Sequence, residues 1–173
     1  MPNYKRLFKE NHYYFITINT YKRQPILIKN IQLLRYAFAQ SKQFYEYKLF
    51  AISVLPDHLH MLIRPKYPTD YPKIISYVKR KFTYMLNQSN SSIITTTNSQ
   101  SRIKNRESNI WQRRYYEHTI RNEIDLNFHL DYIHFNPVKH GYVQNQEEWE
   151  FSSFSKFVKL GWYKEDPLNP PHQ

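Results

Sequence analysis

Two histidines separated by one leucine are spaced so that both could hold one metal ion. The segment PDHLHML begins at Pro56 and contains His58 and His60 within an otherwise apolar run. In a β-strand, residues two positions apart point to the same face, so both imidazoles project together while Leu59 points the other way. If helices cover the Leu59 face, the two histidines lie on the more open face. Two ligands do not complete a zinc or magnesium site, and a hydrogen-bonded histidine pair without a metal explains the same spacing.

A predicted helix in the C-terminal third carries further polar groups beside its apolar stripe. The stripe in the segment RNEIDLNFHLDYIHFNPVKHG (121–141) consists of Leu126, Leu130 and Ile133. At helical spacing, four polar residues share a band about 60° wide beside it: Asp125, His129, Tyr132 and Asn136. A tyrosine at the edge of an apolar stripe usually packs with its hydroxyl in water. The pair of Tyr132 and Asn136, one turn apart, therefore indicates chemistry only if it faces the two histidines.

The rest of the sequence predicts the framework that positions these groups. The predicted strands cover 12–20, 48–56, 58–64 and 110–120, and the predicted helices cover 30–46, 71–86 and 123–135. Asp70 and Asn122 are the expected N-caps, and Pro137 is expected to end the last helix. The order βαββαβ predicts an α+β, ferredoxin-like fold. Its mainly antiparallel sheet would carry helices on one face, with an extra C-terminal helix that bears the tyrosine.

Composition narrows the class of protein. Lysine and arginine outnumber aspartate and glutamate by 25 to 14, which gives a net charge of +11, and 17% of the residues are aromatic. Cationic surfaces bind polyanions by releasing counterions, and aromatic rings stack on unpaired bases, so nucleic-acid binding is favoured. The absence of cysteine excludes disulfides and thiolate metal ligands. No apolar run approaches the roughly 20 residues of a membrane span, and we expect a cytoplasmic, nucleoid-associated protein.

Three blocks of the sequence, taken together and in order, resemble the single-tyrosine HUH transposases. The blocks are LPDHLHMLIRP, WQRRYYEHTIRNE and DYIHFNPVKHGYV, and the resemblance extends from about Tyr14 to Tyr163. The most similar branch is that of the REP-associated tyrosine transposases. The resemblance implies that His58 and His60 are metal ligands, that Tyr132 is the nucleophile and that Asn136 is the third metal ligand.

The resemblance also implies a reaction and a division of the chain. It implies metal-dependent cleavage and rejoining of single-stranded DNA through a 5′-phosphotyrosine, at hairpin-forming repeats. Mg²⁺ or Mn²⁺ is the implied ion, although the ligand types leave Zn²⁺ open. No nucleotide cofactor is expected, because no P-loop pattern occurs. We expect residues 1–148 to form the catalytic domain, with 87–109 as a polar mobile loop and 149–173 as an aromatic appendage packed on the same domain.

Basic residues are the expected contacts to DNA, although each is more often part of an ordinary solvated surface. The six candidates are Lys79, Arg80, Lys81, Arg113, Arg114 and Arg121. His129 is expected near the site, where it would orient the tyrosine or transfer a proton, unless it is simply a core histidine. A short connection before the tyrosine helix slightly favours a monomer over a homodimer that exchanges this helix.

Two other functions fit parts of the same pattern. A non-catalytic module of the RNA-recognition type shares the βαββαβ sheet, but it would expose aromatic rings on the central strands, where this chain has histidines. A relaxase or replication initiator would share the metal centre, but such proteins are usually larger than 173 residues. Replacement of Tyr132 by phenylalanine separates the catalytic hypotheses from the binding module, because only an enzyme would lose a covalent adduct.

Overall fold

A computed structural model describes residues 7–89 and 109–163 of the chain. The strands are β1 (Tyr14–Asn19), β2 (Tyr47–Val54), β3 (His58–Pro65) and β4 (Tyr116–Thr119). The α-helices are α1 (Ile31–Ser41), α2 (Tyr71–Gln88), α3 (Glu123–Lys139) and α4 (Phe154–Lys159). Short 3-10 helices cover Tyr21–Arg23, Ile28–Asn30, Pro68–Asp70 and Gln146–Glu148.

The four strands form one antiparallel sheet in the spatial order β2-β3-β1-β4. The central strands β1 and β3 pair so that Thr17 lies opposite His60 and Asn19 opposite His58. Strand β4 pairs with the outer side of β1, and β2 pairs with the outer side of β3. This order, with α1 and α2 as the two crossover helices, is the ferredoxin-like arrangement, so the predicted fold class is confirmed.

The two faces of the sheet are covered by different helices. Alternate residues of the central strands, such as Ile16, Leu59 and Met61, pack with α1 and α2 in the larger apolar core. The intervening residues include Phe15 and Leu62, which pack with α3 and α4 in a second, smaller core. The tyrosine-bearing helix α3 therefore covers the histidine face. The expectation that this face is open is wrong, because α3 buries it.

Helix α3 runs to Lys139, so the prediction that it ends before Pro137 is wrong. A proline near the end of a helix removes only its own N–H from the hydrogen-bond ladder, and the remaining turn can still be capped. Here the Tyr142 N–H donates to the Pro137 carbonyl at 3.0 Å, and Gly141 adopts a left-handed φ of 71°, which together form a Schellman motif. Asn136 consequently stays helical.

Two other elements are shorter than predicted. Helix α1 ends at Ser41, whose hydroxyl donates to the Phe38 carbonyl at 2.7 Å. A side chain that bonds to the backbone in this way competes with the backbone hydrogen bonds that would continue the helix. Strand β4 covers only the last part of the predicted strand 110–120. Near the start of that segment, Trp111 forms an isolated bridge with Thr20 and is buried.

The segment that follows residue 148 packs against the edge strand β2. The Trp149 indole N–H donates to the Val54 carbonyl at 2.9 Å, and the Ser153 hydroxyl accepts from the Ile52 N–H at 3.0 Å. These contacts join residues 149–163 to the sheet, while the division of the chain at this point stays a prediction.

The predicted polar loop at 87–109 coincides only partly with described structure. Helix α2 continues to Gln88, so the first residues of that segment are helical, and 90–108 lie outside the described residues. None of the described helices combines the length and the apolar character needed to cross a bilayer.

Candidate metal and nucleophile site

The structure brings the histidine pair and the tyrosine together. His58 and His60 project from one face of β3, with their ring centroids 4.9 Å apart, and they are only 3% and 4% exposed. Helix α3 places the Tyr132 ring against His60, with 5.1 Å between centroids and an edge-on orientation. The condition that the sequence set for a functional tyrosine, that it faces the two histidines, is therefore met in the geometry.

A threonine on the neighbouring strand orients His60. The Nδ1 atom of His60 lies 2.7 Å from the Thr17 hydroxyl, directly across the β1–β3 pair. Burial, followed by the charge of His58, lowers the pKa of His60 to about 3, so the imidazole is neutral at pH 7. Its Nε2 atom is buried and has no hydrogen-bond partner within the described ranges. With a proton on Nδ1, this nitrogen carries the lone pair that a metal ion would bind.

A carboxylate orients His58 in the same way. The His58 Nδ1 atom lies 2.6 Å from Asp57 Oδ1, and the Arg23 Nε–H donates to the other carboxylate oxygen at 2.7 Å. Burial lowers the pKa of His58, and the hydrogen bond to Asp57 opposes this effect. A carboxylate behind one ring nitrogen fixes the tautomer and leaves the other nitrogen for a metal. The sequence analysis assigned no role at the site to Asp57 or Arg23.

The backbone that carries Arg23 is unusual. Lys22 and Arg23 are consecutive non-glycine residues with positive φ angles of 53° and 56°. Such conformations cost energy and concentrate at functional sites. Here they place the Arg23 guanidinium between Asp57 and Asn19, at the edge of the histidine pair. Nothing in the sequence indicated this turn, because it contains none of the glycine or asparagine residues that usually adopt such angles.

Asn136 completes the group of candidate ligands. It is fully buried, and neither amide atom has a hydrogen-bond partner among the described residues. The amide lies close enough to His60 to raise the pKa of that imidazole, against the larger effect of burial. A buried amide without partners is costly and therefore calls for an explanation. Together with the free Nε2 of His60, the amide oxygen fits a mixed nitrogen and oxygen site for a divalent ion.

Tyr132 is half-buried, and its ring contacts two aromatic side chains and one ammonium group. Phe15 contacts the ring in a T-shaped arrangement at 5.8 Å, and His60 contacts it at 5.1 Å. The Lys139 ammonium lies 5.2 Å from the ring centroid. Helix α3 is anchored by Leu130 and Ile133 in the smaller core, so the position of the phenol is set by the rigid helix.

A second polar cluster lies at the N-terminal part of α3. His118 Nε2 is 2.8 Å from one Asp125 oxygen, and His129 Nδ1 is 3.0 Å from the other. These three side chains come close enough together to hold a divalent ion. The two imidazoles, however, are stacked at 4.6 Å with only 15° between their planes. Nearly parallel rings cannot both direct an in-plane lone pair at one ion, so hydrogen bonding to the shared carboxylate explains this geometry better.

His129 is separated from the tyrosine by a phenylalanine. Its ring centroid lies 4.6 Å from that of Phe15, which in turn contacts Tyr132. A role of His129 in orienting Tyr132 stays a prediction, and any such effect would act through Phe15. Sequence reasoning grouped Asp125 with His129 but missed His118, because strand β4 brings that residue to the helix from a separate element.

The six predicted DNA contacts belong to two segments of the chain. Lys79, Arg80 and Lys81 belong to α2, which packs on the sheet face opposite the histidines. The Lys79 ammonium donates to the Gln112 carbonyl at 2.7 Å, which ties it to the protein itself. The other three residues are exposed and belong to the segment that leads into α3: Arg113, Arg114 and Arg121. The structure thus brings Tyr132 and the histidines together, but not the three α2 cations or Arg113, whose carbonyl lies 3.5 Å from the Lys79 ammonium.

The chain was compared with known proteins. The family model described as IS200-like transposase matches residues 8–136. The REP-associated tyrosine transposase of Escherichia coli is 32% identical over 168 residues, which are 96% of this chain and 90% of that protein. A protein of Haemophilus influenzae assigned to the same group is 42% identical over 168 residues, covering 96% of this chain and 93% of the relative.

A solved structure agrees with these relatives. It is the structure of a REP-associated tyrosine transposase bound to a REP hairpin, with a TM-score of 0.80 and 31% identity. The similarity covers 100% of this chain and 94% of that one. The family resemblance seen in the sequence is therefore confirmed. The chain belongs to the family of IS200-like transposases and, within it, to the REP-associated tyrosine transposases, which are DNA-cleaving enzymes.

Proposed function

We propose that this transposase cuts and rejoins single-stranded DNA at hairpin-forming repeats, with Tyr132 as the nucleophile. The observation that carries the proposal is the contact between the Tyr132 ring and His60, beside a buried imidazole nitrogen and a buried amide without partners. The relative of known structure was bound to a REP hairpin, which supports a hairpin as the DNA feature recognised here. The net charge of +11 supports the binding of a polyanion.

The candidate ligands are His58, His60 and Asn136. Transposases of this family generally use a divalent metal. Two neutral imidazoles and one amide oxygen suit Mg²⁺ or Mn²⁺ completed by water and phosphate oxygens, and their neutrality leaves the charge of the ion uncompensated. When bound, such an ion polarises the scissile phosphate and neutralises the charge that develops there.

The protein groups around the site then have distinct tasks. Thr17 and Asp57 hold the two imidazoles in one tautomer and one orientation. Helix α3 holds the phenol of Tyr132 at a fixed distance from the two imidazoles. A phosphate bound at the site therefore meets a nucleophile that is already oriented, instead of one that must diffuse to it. Attack by the Tyr132 oxygen on phosphorus forms a phosphotyrosine, and the bond from phosphorus to the 3′-oxygen breaks. The phenol proton of Tyr132 passes to water, and the leaving 3′-oxygen takes a proton from water. Attack by a 3′-hydroxyl reverses the step, with the same proton transfers in the opposite direction.

Of the exposed cations proposed to contact DNA, Arg121 is nearest in sequence to the tyrosine helix, because it precedes the N-cap Asn122 of α3. Arg113 and Arg114 are exposed as well, but the Lys79 ammonium donates to the Arg113 carbonyl at 3.5 Å, so Arg113 lies beside α2. The three α2 cations lie across the sheet and would contact only DNA that wraps around an edge. Because Tyr132 of the same chain lies beside His60, one subunit supplies the whole site, and this supports the proposal of a monomer.

The test compares the parent protein with Tyr132→Phe on labelled hairpin oligonucleotides with single-stranded flanks. With Mg²⁺, the parent is expected to form an adduct that survives a denaturing gel. The variant is expected to bind the same DNA with the same affinity but to form no adduct. Tyr84→Phe is the matched control, because Tyr84 is 60% exposed on α2. A covalent adduct with Tyr132→Phe, or none with the parent, would refute the proposal.

A further inference from the structure

Lys139 stands apart from the lysines whose charge is already balanced. Its ammonium lies 5.2 Å from the centroid of the Tyr132 ring, and the residue is exposed. Lys66 and Lys73, by contrast, pair with carboxylates at 2.6 Å and 2.8 Å. No carboxylate in the described part of the chain lies within ion-pair distance of Lys139. Its positive charge is therefore available to an external anion.

The position of Lys139 is fixed by the way α3 ends. It is the last residue of the helix and lies seven positions after Tyr132, so both side chains occupy the same side, two turns apart. The Schellman motif at Gly141 and Tyr142 closes this last turn, and Tyr142 stacks on Trp149 with 5.5 Å between centroids. The backbone under Lys139 is therefore held in place, while its side chain remains free to move towards a ligand.

Of the contacts that surround Tyr132, the one with Lys139 faces the solvent. Phe15 and His60 contact the phenol from the sheet, and both are buried. Lys139 contacts it from the exposed end of the helix. A phosphodiester that reaches Tyr132 from solvent therefore comes within range of this ammonium. The attraction between them is strengthened wherever the bound DNA excludes water.

We propose that Lys139 is a further catalytic residue, whose ammonium pairs with a nonbridging oxygen of the scissile phosphate while Tyr132 attacks. This inference rests on the proposed function. As the new bond between the Tyr132 oxygen and phosphorus forms and the bond to the 3′-oxygen breaks, negative charge grows on the nonbridging oxygens. An ammonium placed there stabilises the transition state more than it stabilises the bound substrate. It therefore raises the rate of the step. Lysine acts as a point charge and keeps its proton throughout.

The experiment measures single-turnover adduct formation by the parent, Lys139→Gln and Lys139→Arg. We expect Lys139→Gln to be slower by about tenfold to hundredfold, the range typical of a lost hydrogen bond to a charged group, and Lys139→Arg to recover most of the rate. Lys156→Gln is the matched control, because Lys156 is exposed on α4. Affinity for uncleaved DNA, measured in a Tyr132→Phe background, is expected to change less than threefold, roughly the effect of one surface charge.

A substrate change separates a contact with the phosphate from a general effect on the protein. The two methylphosphonate isomers each replace one nonbridging oxygen of the scissile phosphate by a neutral methyl group. If Lys139 pairs with one oxygen, the rate ratio of parent to Lys139→Gln falls to about one for the isomer that lacks this oxygen and stays high for the other. An equal ratio for both isomers, or a rate of Lys139→Gln equal to the parent on ordinary DNA, would overturn the inference alone. Failure of the parent to form any adduct would overturn the proposed function, and this inference with it.

Discussion

The two faces of the central sheet are equally buried but differ in the atoms that they bury. On the α1 and α2 face, Leu59 and Met61 are 0% exposed and entirely apolar. On the α3 face, His58 and His60 of the same strand are 3% and 4% exposed, and Asn136 of α3 is 0% exposed. Burial alone therefore does not distinguish a core from a site. The distinction lies in buried polar atoms that have no hydrogen-bond partner. In His60, Nδ1 bonds to the Thr17 hydroxyl, whereas Nε2 has no partner among the described residues.

The buried polar groups of His60 and Asn136 carry a cost that Leu59 and Met61 do not. A buried donor or acceptor without a partner costs about 1–3 kcal/mol relative to a satisfied one. A sequence selected only for stability would replace such groups by apolar residues, and proteins that keep them usually do so at functional sites. If this interpretation is correct, substitutions on the apolar face should lower stability, whereas those on the polar face should lower activity.

The largest expected effect on stability is that of Leu59→Ala. Leu59 is fully buried in the larger core, and removing its side chain leaves a cavity that the packed helices α1 and α2 cannot fill. The free energy of unfolding should fall by about 2–5 kcal/mol. Denaturant unfolding followed by circular dichroism measures this change. A loss below 1 kcal/mol would show that the larger core is less tightly packed than the burial of Leu59 indicates.

The second prediction concerns pH and His134, a buried histidine of α3 that bridges two other elements. Its ring nitrogens lie 2.7 Å from the Tyr163 hydroxyl and 2.8 Å from the Ser153 hydroxyl, and burial lowers its pKa to about 3. Below the ordinary histidine pKa of 6.5, the unfolded chain binds a proton that the folded protein does not. Stability should therefore fall as the pH decreases from 6.5 towards 3, by up to about 1.4 kcal/mol per pH unit.

The matched variant for this pH dependence is His134→Leu. It should be less stable than the parent at pH 7, by about 1–3 kcal/mol, because two hydroxyl groups lose a partner. Between pH 6.5 and 4.5, however, its stability should decrease less than that of the parent, since the titrating group is gone. Urea unfolding at a series of pH values gives both quantities. Identical slopes for the two proteins would mean that His134 is not the group that titrates.

A smaller difference in stability is expected between substitutions at the N-termini of the two long helices, α3 and α2. Asn122 caps α3 by accepting from the Asp125 N–H at 2.9 Å, as the sequence predicted. Asp70 was predicted to cap α2, but it makes no cap hydrogen bond and pairs with Lys73 instead. Asn122→Ala should cost about 1 kcal/mol, and Asp70→Ala less than about 0.5 kcal/mol, the value of an exposed ion pair. Thermal unfolding of both variants tests the difference, and equal losses would contradict it.

The sequence predicted the fold well because its signals are local and repeated. Alternation in β1 and β3, helical spacing in α2 and the order of the elements all point to one arrangement. His58, His60, Tyr132 and Asn136 were predicted as site residues because their blocks form a recognisable pattern, and their roles stay predictions. What supports these residues could not be found in the same way. Thr17 and Arg23 act through strand pairing and an unusual turn, neither of which leaves a motif in the sequence. Lys139 lies within the block DYIHFNPVKHGYV, but its contact with Tyr132 depends on the way α3 ends.

Errors of prediction also had a physical cause. Pro137 normally ends a helix, but α3 continues to Lys139, where a Schellman motif closes its last turn. The histidine face was expected to be open because the packing of α3 depends on contacts with distant residues such as Phe15 and Phe157. Helix α3 also turns polar side chains inwards, among them His134 and Asn136, which weakens the apolar periodicity from which its buried face could have been inferred.

A small net change in stability is expected for His60→Leu, and it gives the sharpest test of the comparison with Leu59→Ala. The substitution loses the contact between Thr17 and His60, worth about 1 kcal/mol, but it also removes a buried nitrogen without a partner and adds apolar burial. Because Thr17 is only half-buried, water can satisfy its hydroxyl. In metal-free buffer at pH 7, the free energy of unfolding should therefore stay within about 1 kcal/mol of the parent value, while adduct formation on hairpin DNA disappears.

The neighbouring Leu59→Ala should show the opposite combination, with reduced stability and an adduct that still forms in the folded fraction. A His60→Leu protein that is as unstable as Leu59→Ala would mean that both faces are structural cores, and the distinction between them would fail.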